Sequence, residues 1–113
     1  NGLRVANIPD TMGHAAYKCY VFVEPQNLNA DWNRDRIMNE IAARGVPCFS
    51  GSCSEVYLEK AFDNTNYRPA EPLPVARELG ETSLMFLVHP TLTEKEITKT
   101  CTVLKEIMHL ASC

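Results

Sequence analysis

The stretch Leu73–Ile97, "LPVARELGETSLMFLVHPTLTEKEI", changes its period twice, and those changes set out an architecture. Its first part, "LPVARELG", reads as a short helix. Pro74 suits a first turn, where the missing amide has no partner to lose, and Gly80 suits the end. "SLMFLVHP" follows, an apolar run too short for a helix and closed by Pro90, which marks a buried strand. Thr93 and Glu96 then stand three apart, the spacing at which each side chain caps the other's backbone amide. They open a long helix in which Ile97, Cys101, Leu104, Met108 and Ala111 recur at helical spacing and predict one continuous apolar face. Helix, buried strand and amphipathic helix in one run call for a sheet with helices laid on it.

Upstream, "AAYKCYVFVE" reads as a second strand, rich in Tyr, Val and Phe. Alternation puts Tyr17, Cys19, Val21 and Val23 on one face and Lys18, Tyr20 and Phe22 on the other. "DWNRDRIMNEIAARG" predicts an amphipathic helix, capped by Asp31 or Asn33, with Ile37, Met38, Ile41 and Ala42 as its apolar stripe. Arg44 suits its negative end, and Gly45 suits a left-handed stop. "VPCFS" predicts a short strand, which Pro47 confines to an edge or a strand start. Ser52 three before Glu55 predicts a capped short helix over "SEVYLEKAF". Residues 63–72 form a polar loop, and residues 1–14 form a lead-in without period. The order is β-α-β-α-α-β-α. The class is α+β: a small, mainly antiparallel sheet of three to four strands with helices packed on it.

Bulk properties narrow the function. The chain has 113 residues, one small domain's worth, of which 45% are apolar and 22% charged. A net charge of −3 gives no basic surface for a phosphate backbone, so nucleic acid is not an expected partner. No apolar run spans a bilayer and no leader pattern opens the sequence, so no membrane role is expected. Five cysteines, odd in number and irregular in spacing, suit reduced thiols in the cytoplasm.

The chemistry-bearing residues do not assemble into a self-contained site. Cys48 and Cys53, even with His14 and His89, lack the ligand spacing of a zinc site, and no metal is expected. Cys53 at a helix start has part of what a nucleophilic thiol needs, but no base beside it. Cys19 and Cys101 lie on apolar faces and read as core. Glu55, Glu59, Asp63 and Glu71 read as surface charge rather than an acid–base pair. Lys18, a cation among aromatics, is either a desolvated amine or a side chain snorkelling to water. "SGS" at 50–52 is too short for a phosphate loop.

Three blocks taken together resemble a known family: "HAAYKCYVFV", "RDRIMNEIAARGVPCFSGSCSEVYLEKAF", and the opening stretch, whose "LPVAREL" helix running into "SLMFLVHPTLTEKEI" is the most specific. They are similar to the C-terminal small domain of the pyridoxal phosphate-dependent nucleotide-sugar aminotransferases of the DegT/StrS type. The resemblance runs from His14 onward. It implies that residues 15–113 are such a small domain, behind the lead-in at 1–14. The large domain, with pyridoxal phosphate and its Schiff-base lysine, lies upstream in these enzymes. Neither Lys18 nor Lys60 stands in that lysine's motif. The resemblance therefore implies a piece that alone neither binds the cofactor nor transaminates, with no catalytic, cofactor or metal residue of its own.

For the whole enzyme the resemblance implies transfer of an amino group from glutamate or glutamine to a nucleotide-linked keto-sugar. Such enzymes are cytoplasmic homodimers serving cell-surface polysaccharide synthesis, of cell wall or O-antigen. It also implies substrate contacts by Lys18 and Tyr20 on the strand and by Phe49, Ser50 and Ser52 in the following loop. In many relatives that loop carries a His, whereas here it reads C-F-S-G-S-C-S. Two other readings stand beside this one: a free-standing α+β binding module, and a thiol enzyme built on Cys53.

Overall fold

The computed structural model describes all residues, Asn1–Cys113. The expected class holds: four strands form one antiparallel sheet with helices against it. The elements are β1 (Leu3–Val5), β2 (Lys18–Val23), α1 (Arg34–Ala43), β3 (Cys48–Phe49), α2 (Pro74–Thr82), β4 (Ser83–Leu87) and α3 (Glu94–Ala111). The sheet order is β1-β2-β4-β3. The apolar run of β4 takes the centre between β2 and β3, which explains why Ser83 to Phe86 are all buried.

The element order departs from expectation in two places. The lead-in is not structureless, because Leu3–Val5 pair with Val21–Val23 as an edge strand. The helix expected after Ser52 is absent, replaced by two single 3-10 turns at Val56–Leu58 and Lys60–Phe62. The reason is local. Glu55 does not reach back to cap an amide; its carboxylate accepts the Tyr57 hydroxyl at 2.6 Å. Tyr57 Oη in turn accepts the Leu73 amide at 3.0 Å, and Arg68 Nε donates to the Tyr57 carbonyl at 2.9 Å. These bonds tie the segment to the start of α2 instead of to itself.

The core lies on one face of the sheet. Val21 and Val23 of β2 and Leu84 and Phe86 of β4 meet Ile37 and Ile41 of α1, and Val103, Ile107 and Ala111 of α3. Ile37, Ile41, Leu84 and Ile107 have no exposed surface of note. Asn33 proves to be the cap of α1, its side chain accepting the Arg36 amide at 2.9 Å. Gly45 ends that helix with φ of +71°. Thr93 and Glu96 form the expected capping box on α3. Gly80 lies within α2 rather than at its end, where α2 passes so close to Ser54 that a β-carbon would fall 2.2 Å from the hydroxyl.

The apolar stripe of α3 divides. Met108 and Ala111 are buried, but Ile97 and Cys101 are exposed, and so is Cys19 of β2. The expectation that both cysteines are core is wrong. The amino-terminal half of α3 overhangs the sheet and leaves an apolar groove of about 630 Å³, into which Cys19, Ile97, Cys101 and Leu104 face.

Residues 4–17 are exposed throughout. The accessible surface is 8215 Å², about a third above the ~6,200 Å² of a compact monomer of this mass. The radius of gyration is 16.2 Å against about 13 Å for a compact domain of this length. No helix is long and apolar enough to cross a membrane.

Candidate functional site

The strand register gathers most of the expected site residues. Directly paired residues of antiparallel strands share a face. Tyr20 pairs with Met85, and Met85 with Phe49. These three therefore form a row across β2, β4 and β3 on the face turned away from α1 and α3. Lys18 sits two residues along the same face, opposite Leu87. Its ammonium lies 5.5 Å over the Tyr17 ring, so it leans toward water and an exposed aromatic, as a snorkelling lysine does. Tyr20 stacks on Phe22 with ring centroids 6.5 Å apart, and the Arg4 guanidinium covers Phe22 at 4.7 Å.

The loop after β3 closes over this row. Ser52 Oγ lies 3.0 Å from Tyr20 Oη, in hydrogen-bond contact. Gly51 takes φ of +89°, and a β-carbon there would lie 2.8 Å from Tyr20 Cε1 and 3.1 Å from Ser83 Oγ. Only glycine lets the backbone pass so close to the ring. Ser83 Oγ donates to the Ser50 carbonyl at 2.6 Å. Tyr20, Phe49, Ser50 and Ser52 are thus brought together, and Lys18 stands at the margin.

Arg34 also belongs to this assembly, and it escaped the reading of the sequence. Its Nη1 donates to the Ser83 carbonyl at 3.2 Å and lies 3.5 Å from the Ser50 carbonyl. Its Nε is 2.7 Å from Asp35 Oδ1 but buried and not aimed at it, an ion pair without a hydrogen bond. A signal was present. Arg34 is the first residue of α1, where the helix dipole disfavours a cation, so a contact elsewhere has to hold it there.

Neither loop cysteine is set up as a nucleophile. Cys48 is buried, and that burial raises its thiol from the ordinary 9.0 to about 11, outweighing the Phe49 backbone hydrogen bond and the nearby Arg34 charge. Cys53 is exposed, but no helix begins there, and its thiol donates to the Glu59 carboxylate at 3.6 Å. No group of three or more His, Cys, Asp or Glu side chains is close enough to hold a metal ion.

Behind the loop, against α2, lies a polar cavity of about 500 Å³ with Arg34, Ser52, Ser54, Lys60 and Arg77 among its lining. Its basic groups face Glu55, Glu59 and Glu81, and Arg77 pairs with Glu81 at 2.8 Å.

No family model and no curated protein matches the chain. Solved structures do. Over 86% of its length the chain superposes, with a TM-score of 0.83 and 63% sequence identity, on 25% of an aminotransferase from Psychrobacter cryohalolentis. Its structural relatives are aminotransferases. Two more share the fold. The aminotransferase TlmJ from Streptoalloteichus hindustanus matches 96% of the chain with 27% of its own, at 18% identity and a TM-score of 0.77. A DegT DnrJ EryC1 StrS aminotransferase from Brucella abortus matches 93% with 26% of its own, at 23% and 0.74. The chain spans about a quarter of the length of each.

Aminotransferases in general work through pyridoxal phosphate, and the residues of this chain do not fit that group. The cofactor needs a lysine for its aldehyde, a carboxylate at its ring nitrogen and a surface for its ring. The polar cavity offers Lys60, but that lysine is exposed, and Leu58 and Cys53 are the only apolar residues in the lining. Lys99 is committed to the Gly45 carbonyl at 3.0 Å. Neither Lys60 nor Lys99 is placed to hold the cofactor.

Proposed function

We propose that residues 15–113 are the C-terminal small domain, behind a lead-in at 1–14, of a pyridoxal phosphate-dependent aminotransferase. The whole enzyme moves an amino group from glutamate or glutamine to a nucleotide-linked keto-sugar for cell-surface polysaccharide, as a cytoplasmic homodimer. The observation that carries this reading is the 63% identity to an aminotransferase over 86% of the chain. The three sequence blocks that resemble DegT/StrS small domains support the substrate class. The excess of surface over a compact monomer supports a part of a larger body rather than a free-standing module.

On this reading the face carrying Tyr20, Phe49, Ser50 and Ser52, with Lys18 at its margin, is one wall of the sugar-nucleotide cleft. Phe49 is half exposed and Met85 fills the gap between it and Tyr20. Such a surface offers rings for stacking a base or sugar and hydroxyls for its polar edge. The cofactor and its lysine belong to the rest of the polypeptide.

The test has two arms. The longer protein, loaded with pyridoxal phosphate and given glutamate, is expected to convert a nucleotide keto-sugar to the amino-sugar, read by mass spectrometry. The 113-residue chain, treated with pyridoxal phosphate and borohydride, is expected to give no stoichiometric adduct at a single lysine. A specific adduct on Lys18 would overturn the assignment of the cofactor to other residues.

A further inference from the structure

The loop that closes over Tyr20 is held from behind. Ser50 is pinned through its carbonyl, which accepts from Ser83 Oγ at 2.6 Å and faces Arg34 Nη1 at 3.5 Å. The same Nη1 donates to the Ser83 carbonyl at 3.2 Å. One guanidinium at the start of α1 therefore bridges the loop and the first residue of β4. Only 17% of its side chain is exposed, and its single carboxylate neighbour, Asp35, lies largely in water. A buried arginine commonly answers to an acid. Here most of its hydrogen bonding goes to backbone carbonyls, so what it stabilises is a chain path.

That path matters because it sets the candidate cleft wall. Gly51, between the pinned Ser50 and Ser52, rides over the Tyr20 ring, and Ser52 meets the Tyr20 hydroxyl at 3.0 Å. A shift of the Ser50 carbonyl would move Gly51 off the ring and break the Tyr20–Ser52 contact. We propose that Arg34 is the positioning residue of this wall. It fixes the loop Ser50–Ser52 in one conformation before any ligand arrives, so that the Tyr20 and Ser52 hydroxyls and the Phe49 ring are presented together. The step from loop order to substrate selection rests on the nucleotide-sugar reading above; the clamp itself does not.

Two variants test it. Arg34→Gln removes the charge and the fork of donors. Arg34→Lys keeps the charge but replaces the Nε beside Asp35 and the Nη1 that reaches both carbonyls with a single ammonium on a shorter stem, and it secures a folded variant if the glutamine form is unstable. In the 113-residue chain, amide order parameters of Gly51 and Ser52 are expected to fall from about 0.85 to below about 0.6 in Arg34→Gln. Arg34→Lys lies between, and Leu84 and Phe86 of β4 are unchanged in both. In the longer protein both variants raise KM for the nucleotide sugar about tenfold with kcat within twofold. A loop that stays ordered in a folded variant overturns the clamp. An ordered-to-mobile change with KM unmoved overturns its role in the cleft. If the unmodified longer protein turns over no nucleotide sugar, the functional reading fails while the order parameters still judge the clamp.

Discussion

At Gly51 the backbone runs with φ of +89° against the edge of the Tyr20 ring. Alanine there would meet both a disfavoured conformation, at roughly 1–2 kcal/mol, and the Tyr20 ring at 2.8 Å, which would have to shift. Gly51→Ala is expected to lower unfolding free energy by about 1–2 kcal/mol in urea titrations, and to move the Tyr20 ring resonances. Cys48, a few residues earlier, gives a pH dependence. Its folded pKa is raised, from 9.0 to about 11, so the folded state keeps a proton that the unfolded chain releases above pH 9. Stability is fully present below that pH and falls as pH rises toward 11. Cys48→Ala should flatten this slope in alkaline denaturation curves. Alkylation at pH 8 should reach the exposed Cys53 well before Cys48. Tyr20, Phe49, Ser50 and Ser52 were named through the family resemblance, while alternation alone gave only the face of the strand on which Tyr20 lies. Arg34 stayed hidden because its partners, Ser50 and Ser83, are brought to it only by the closure of the sheet.

Among the elements, α3 has the most explicit start. The Thr93 amide and hydroxyl both donate to Glu96 Oε2 at 2.8 Å, and the Glu96 amide returns a bond to Thr93 Oγ1 at 3.3 Å. The Thr93 amide first, then its hydroxyl, hold the Glu96 carboxyl below its usual 4.5. A depressed carboxylate contributes stability above that ordinary value and loses it as pH falls through the folded one. Thr93→Ala is expected to cost about 1 kcal/mol near neutrality and to lose less on acidification than the parent, by circular dichroism under urea. This cap was legible because both partners lie within one turn. Ser52 and Glu55 have the same spacing but form no cap, because Tyr57 takes the Glu55 carboxylate. The apolar stripe of α3 was also legible, but not its fate. Periodicity finds an apolar face without telling what meets it, and Ile97 and Cys101 stay exposed at the mouth of the groove.

For the whole molecule the surplus of surface has a measurable counterpart. Exposed Ile97, Cys101 and Cys19 around the groove, and Phe49 and Leu87 on the opposite face, leave apolar area on both sides of the sheet. The 113-residue chain is expected to enhance the fluorescence of a hydrophobic dye while keeping the near-ultraviolet dichroism of a packed core, which separates it from a molten state. On the proposed aminotransferase reading, the longer protein should bind less dye per molecule. Equal binding would mean that these faces stay open there too. The sheet order carries a kinetic consequence as well. Its central ladder joins residues 18–23 to residues 83–87, with α1, the cleft loop and α2 all threaded between the two strands. During synthesis β2 can pair with β1 as soon as both have emerged, but its other edge must wait for β4, most of the chain later. Only α1 and the short β1–β2 ladder can form early from neighbours in sequence. Closure of so long a loop is slow, in the millisecond-to-second range of non-local sheets. Until then the β4-facing edge of β2 stays unpaired, and that interval, rather than the finished fold, is when this chain is most open to aggregation.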